Sequence, residues 1–252
     1  MLSFWPALPM GIFIAMISSI VGIGGGILWM PFLLLILKLN PEVAVLTSLM
    51  IQTVGMGSGS WAYYRNQRTD LKLALIMLLV TIPGIIAGAY LTRQISPAHI
   101  ELILGLLAMT TAFLFVSLNH KYDDKGHKHA EISRAKPYLI LLSLMSVVSG
   151  FLSVSVGEWL IPIMHGKMNL RMSTAIATSI TTIFGVCLMG SAIHFILGGK
   201  PHWQAIAWAA PGVLIGGQIG PRIAEYINER MLKEIFIFLL TLVGIHMIYN
   251  AF

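Results

Sequence analysis

The sequence predicts an all-α integral membrane protein built from two homologous halves, and three observations predict it. Charge is scarce: 10% of the 252 residues are charged and 57% are hydrophobic, where a soluble domain carries about a quarter charged residues. Apolar runs at 71–91, 100–118, 173–197, 203–219 and 235–252 approach or reach the roughly 17–25 residues that cross a bilayer. The chain also resembles itself. A shift of 131 positions lays Ser18 on Ser149, Gly26 on Gly157, Pro31 on Pro162, Leu39 on Leu170 and Ala44 on Ala175. The same shift matches Thr47-Ser48 with Thr178-Ser179 and Gly59-Ser60 with Gly190-Ser191; with the offset falling to 128, Pro83-Gly84 meets Pro211-Gly212 and Gly88 meets Gly216. Repetition at a fixed offset is the mark of a duplicated unit.

The first repeat is expected over residues 1–119 and opens with a broken helical hairpin over 4–38. An apolar stretch to Val21 is interrupted by Gly22-Ile23-Gly24-Gly25-Gly26, and a second apolar stretch carries Pro31. Each glycine weakens a helix by about 1 kcal/mol and proline removes a backbone donor, so the helix should fail there. Non-helical backbone at membrane depth survives only where protein or a water-filled cavity covers it. Three spans follow, at about 42–64, 71–92 and 99–118. A polar cytoplasmic linker at 120–136 carries His120, His127, His129 and Asp123-Asp124 without metal-ligand spacing; it reads as a solvated loop, and no metal is implied. The second repeat, 137–252, repeats the design: a broken hairpin at 138–165 around Gly157 and Pro162, then spans at about 172–197, 203–221 and 232–251. The N-terminus lacks the Lys/Arg of a signal-peptide leader and reads as mature structure. The single Cys187 lies in an apolar span and allows no intramolecular disulfide.

Charge placement orients the chain. Net charge is +6, and the basic residues sit in loops, so the excess points to a positive-inside signal rather than to nucleic acid. If the broken elements turn back as re-entrant hairpins, only Lys38, Arg93 and Lys200 of the sixteen Lys and Arg lie on the side of the termini. If they cross, the division is nine to seven. The lopsided division fits the rule better. It makes the two halves inverted repeats, with six full spans, two re-entrant hairpins and periplasmic termini in a cell inner membrane; eight simple spans are the rival reading.

Matched helix breaks in two halves are a pointer to a transporter's substrate site. A helix restarting at Gly24, Gly25 and Gly26 offers unpaired N–H groups and the positive end of its dipole to an anion; the run lacks the Lys-Ser/Thr of a P-loop. Ser155 and Gly157 stand at the matching break. Thr47, Ser48, Thr178 and Ser179 open the next span of each half, with Gln52 one turn on, and can donate hydrogen bonds without adding negative charge. Close helix packing by the glycines, and hydroxyls bonding their own helices, are the plainer readings of the same residues. Glu158 follows Gly157 within apolar sequence. A carboxylate at membrane depth is a functional hypothesis by default, and Glu158 is expected to couple proton movement to transport unless it only bonds the broken backbone. His194 and His246 lie in apolar spans, where a polar contact within the bundle is the commoner role. Nothing suggests an intramembrane enzyme: no HExxH, no paired membrane aspartates and no Ser-His motif.

The residues Ser18, Gly22, Gly24-Gly25-Gly26, Pro31, Asn40-Pro41 and Thr47-Ser48, in this duplicated setting, resemble the TauE/SafE family, the sulfite exporters. The resemblance covers essentially the whole chain. It implies a transporter of sulfur-containing anions, such as sulfite or an organosulfonate like sulfoacetate, working by alternating access with no cofactor. A passive anion channel or a carrier of another small organic anion is the alternative. The second copy departs from the pattern, with Ser155-Val156-Gly157-Glu158 where a fuller glycine run is common. The partners expected are the small anion and the lipid bilayer, without nucleic acid; homo-oligomerisation stays open.

Overall fold

In the computed structural model the described residues are 4–95, 97–117, 126–130, 136–224, 226 and 229–250. Within them the side chains of Glu158 and Trp159, among others, lie outside the description, as does most of the 120–136 linker. The described chain is helical and holds no strand beyond one isolated bridge between His127 and Leu170. The helices are α1 (Ala7–Val21), α2 (Gly26–Pro31), α3 (Pro41–Arg65), α4 (Leu71–Thr92), α5 (Pro97–Ser117), α6 (Leu139–Leu152), α7 (Gly157–Pro162), α8 (Met172–Ile196), α9 (Trp203–Ile223) and α10 (Glu229–Asn250).

Backbone detail recurs at the offset found in the sequence. Helix α2 runs into a π-helical turn at Phe32–Ile36, and α7 into another at Ile163–Lys167. Each turn follows a proline, Pro31 or Pro162; proline cannot donate to the helical ladder, and a wider turn relieves its clash. The chain then passes through a left-handed residue, Lys38 (φ 52°) in one half and Asn169 (φ 54°) in the other. Helices α3 and α8 each have 25 residues. At the starts of α4 and α9 the side chains of Asp70 and His202 accept from Leu73 and Ala205 N–H at 3.1 and 3.2 Å, satisfying groups that a helix start leaves open.

Packing pairs follow the same logic. Gly212, Gly216 and Gly220 lie against Leu8, Ile12 and Met16 backbone, so α9 runs parallel to α1. In the other half Gly84 and Gly88 of α4 lie against Ser143, Val147 and Phe151 of α6, again in parallel. Missing side chains let these backbones approach closely, the usual device where helices pack in lipid. Across the middle, Gly57 meets Phe184, Gly190 meets Leu49, and Ser60 bonds Thr181 at 2.9 Å; α3 and α8 therefore run antiparallel. Helices α5 and α10 are antiparallel too, Gly105 lying against Ile248 and Gly244 against Met109.

Two consequences follow from these directions. First, Ala15 and Ser19 of α1 lie beside Gly55 and Gly59 of α3 in register, so α1 and α3 point the same way. Only residues 37–40 separate the π turn from α3, so the α2 segment carries the chain back. Second, two pairs of matched helices, α3 with α8 and α5 with α10, run in opposite directions.

Three helices, α3, α4 and α8, are long and apolar enough to cross a membrane. Of the other expected spans, the one at 203–221 does not reach that measure, and those at 99–118 and 232–251 include residues outside the description. In α9 the cause is Gln204, Gln218, Arg222 and two internal prolines. The outer surface is apolar, with Ile140, Ile196 and Phe113 at 75%, 82% and 71% exposure, while Ser48, Gln52 and Ser179 are buried to within 1%. Apolar outside and polar within is the arrangement a bilayer selects.

Candidate functional site

The helix breaks meet at the centre of the fold. Helix α1 ends at Val21 with Gly22 in the left-handed conformation (φ 78°), its N–H donating to Ser18 carbonyl at 2.9 Å. Helix α6 ends at Leu152 in the same way, but with Ser153 (φ 58°), whose N–H donates to Ser149 carbonyl at 2.9 Å. Glycine takes this conformation freely, whereas a residue with a Cβ is disfavoured there by about 1–2 kcal/mol. Ser153 is held by its neighbours. Its hydroxyl accepts from Gln52 Nε2 at 2.8 Å and donates to Ser48 Oγ at 3.0 Å, and its carbonyl accepts from Gln52 Nε2 at 3.1 Å.

The two broken segments touch directly. Gly24 N–H donates to Ser155 Oγ at 2.8 Å, and Gly157 N–H donates to the same oxygen at 3.2 Å. One hydroxyl thus receives backbone from both breaks. Ser179 Oγ donates to Gly22 carbonyl at 2.9 Å. A Cβ on Gly26 would overlap Ser153 carbonyl oxygen, and one on Gly24 would overlap Ser155 Cβ, so these positions admit only glycine while the breaks stay crossed.

Of the residues singled out from sequence, the structure brings Gly24, Gly26, Ser48, Gln52, Ser155, Gly157 and Ser179 together at this crossing. Gly25 turns elsewhere, towards Ile14 and Trp29. Thr47 and Thr178 have a matched duty at the far ends of their turns. Thr47 Oγ1 accepts from His202 N–H at 2.9 Å and Thr178 Oγ1 from Asp70 N–H at 3.0 Å, each tying its helix to the capped start of a helix from the other half. The Glu158 side chain lies outside the described residues; its backbone is in the first turn of α7.

Sequence reasoning missed Ser153, whose hydroxyl and carbonyl both bond Gln52. Its signal was available, since the offset of 131 sets it opposite Gly22. It expected a contact within the bundle for His194 without naming its partner, and it missed the matching clasp at Tyr63. Tyr63 hydroxyl donates to Ser19 carbonyl at 2.8 Å, and His194 Nε2 lies 2.8 Å from Gly150 carbonyl. These carbonyls sit in the last turns of α1 and α6, where the helix leaves them without partners. His194 therefore makes a contact within the bundle.

The crossing is uncharged among the described side chains and rich in hydroxyl and amide groups. Ser155 Oγ, accepting from two backbone donors, retains its own proton to give. Hydroxyl and amide groups of this kind can donate hydrogen bonds without adding charge. No cluster of three metal-ligating side chains occurs among the described residues.

The TauE/SafE sulfite exporter profile matches residues 7–247. The chain belongs to this family. Similar proteins include the probable membrane transporter protein YunE of Bacillus subtilis, 24% identical with 99% of each chain covered. Another is the probable membrane transporter protein YjnA of the same organism, 22% identical over 85% of this chain and 89% of that protein. The probable membrane transporter protein YfcA of Escherichia coli K12 is 22% identical over 93% of this chain and 86% of that protein. No solved structure matches. Membership of a family of membrane transporters, with an apolar helical exterior, makes this TauE/SafE chain a membrane protein of the transport class rather than an enzyme.

Proposed function

We propose that the chain is a secondary transporter carrying a small sulfur-containing anion, sulfite or an organosulfonate, across a bacterial inner membrane by alternating access. The observation that carries the reading is the crossing itself. Two helix breaks, one from each half, share the Ser155 hydroxyl and are walled by Ser48, Gln52 and Ser179. Buried backbone without helical partners is tolerated in a membrane only where protein or a cavity satisfies it, and discontinuous helices at a repeat interface are where such carriers place their substrate.

The halves, 1–119 and 137–252, act as inverted repeats. Support comes from the opposed directions of α3 and α8 and of α5 and α10, and from the return of the chain between α1 and α3. Helix α1, 15 residues and so about 22 Å long, is shorter than the roughly 30 Å hydrocarbon core, which suits a re-entrant element. Thirteen of the sixteen basic residues then fall on the cytoplasmic side, and the termini are periplasmic. Glu158, in the first turn of α7, couples proton and anion movement. The partners are the anion and the bilayer.

The test is uptake of labelled sulfite into proteoliposomes with and without a pH gradient, for wild type and Glu158→Gln. Saturable flux that follows the gradient in wild type and ignores it in the variant supports the proposal. Non-saturable flux in both would describe a channel. No flux from folded protein would remove sulfite as the substrate.

A further inference from the structure

At the crossing one polar atom is left over. Gln52 is 1% exposed, and its Oε1 has no hydrogen-bond partner among the described residues. The amide cannot correct this by turning over. Its Nε2 faces the Ser153 carbonyl at 3.1 Å, and a carbonyl only accepts, so an exchange of N and O would set two acceptors against each other. The unpartnered Oε1 therefore points to the Gly24 side, 3.3 Å from where a Cβ on Gly24 would stand. Beside it is Ser155, whose oxygen already accepts from Gly24 and Gly157 and whose proton is free to be donated. A fixed acceptor thus sits next to a fixed donor.

We infer that Gln52 and Ser155 together select an anion that carries its own hydrogen-bond donor: Ser155 O–H donates to an anionic oxygen, and an O–H or N–H of the ligand donates to Gln52 Oε1. The inference rests on the crossing being the substrate site. A buried acceptor left unpaired is costly, and a site built to bond a hydroxyl discriminates strongly against an analogue that lacks it. A fully deprotonated dianion presents only acceptors and would face Oε1 with a like partial charge. The ligand chemistry is a monoanion with one donor. That donor can stand on the acid group itself, as in hydrogen sulfite, or on the tail of a hydroxyalkyl sulfonate. The mate of Gln52 in the second half is Ile183, so only one side of the crossing carries this reader.

Calorimetric binding to the purified full chain, at one neutral pH, tests it with two pairs of near-isosteric probes. Sulfite, partly hydrogen sulfite there, is compared with methanesulfinate, which has a methyl group in place of the hydroxyl. 2-Hydroxyethanesulfonate is compared with 1-propanesulfonate. Wild type is expected to bind the donor-bearing member at least about tenfold more tightly in one pair, and the pair that discriminates tells where the donor stands. In Gln52→Met the ratio should fall to about one. Ratios within twofold in both wild-type pairs would overturn the inference while leaving the anion site intact. A preference that survives Gln52→Met but is lost in Glu158→Ala would assign the acceptor to Glu158 and overturn it equally. No binding of any probe by folded wild type would overturn the functional reading and this inference with it.

Discussion

Gly26→Ala is the sharpest perturbation of the crossing. The new methyl group would overlap the carbonyl oxygen of Ser153, and backbone cannot swing aside as a side chain can. Overpacking of this kind costs about 1–3 kcal/mol before any contact is lost. Parting the breaks also strains the bonds of Gln52 to Ser153 oxygen and hydroxyl and of Ser153 to Ser48, each worth about 1 kcal/mol net. The sum is roughly 4–6 kcal/mol. At about 2–4 °C per kcal/mol for a chain of this size, the melting temperature in detergent should fall by on the order of 10 °C. The second half supplies a graded control. At Gly157 a Cβ would meet Ile183 Cδ1 at 2.6 Å, Gly22 carbonyl at 2.9 Å and Ser179 Oγ at 3.0 Å. The first of these is a mobile side-chain end, so Gly157→Ala should cost less. At Gly166 nothing lies within 4 Å, and Gly166→Ala should be neutral or slightly stabilising. Melting followed by size-exclusion fluorescence ranks the three. Equal melting of Gly26→Ala and Gly166→Ala would refute the close crossing.

Two further outcomes are expected. Tyr63→Phe removes one clasp and should cost about 0.5–1.5 kcal/mol; combined with His194→Ala, at a different helix end, the losses should add, whereas strong non-additivity would mean the clasps act as one unit. Single cysteines at Gln67 and Gly199, in the loops after α3 and α8, should label from opposite faces of oriented membranes if the repeats are inverted, and from the same face if they are not.

What could be read from sequence was local, and what could not was the meeting of distant segments. The helix end at Val21 follows from the glycines after it and the turn after α2 from Pro31, whereas α6 ends at Leu152, ahead of the Gly157 that the sequence pointed to, where Gln52 and Ser48 hold Ser153. No propensity tells that Gly24 N–H will reach Ser155, 131 residues away. Recurrence between halves carried two meanings. Thr47 and Thr178 recur at matched positions, and the structure gives both a matched bond to a helix start; duplication copies structural duties as faithfully as functional ones. Departure from the repeat was the finer signal. Ser153 stands opposite Gly22, Ser155 opposite Gly24 and Gln52 opposite Ile183, and these three polar residues build the crossing.

The most direct test of the central claim, that the crossed breaks hold the transported anion, is substrate protection of a cysteine placed there. In a Cys187→Ser background, Ser155→Cys is alkylated by a small thiol reagent with and without sulfite, in proteoliposomes that retain uptake. Sulfite is expected to slow alkylation at 155 in a saturable way, at the concentrations that saturate uptake, and to leave a reference cysteine at Ser143 unaffected. Alkylation at 155 that proceeds at one rate with and without sulfite, while transport continues, would contradict the claim and place the anion's path elsewhere.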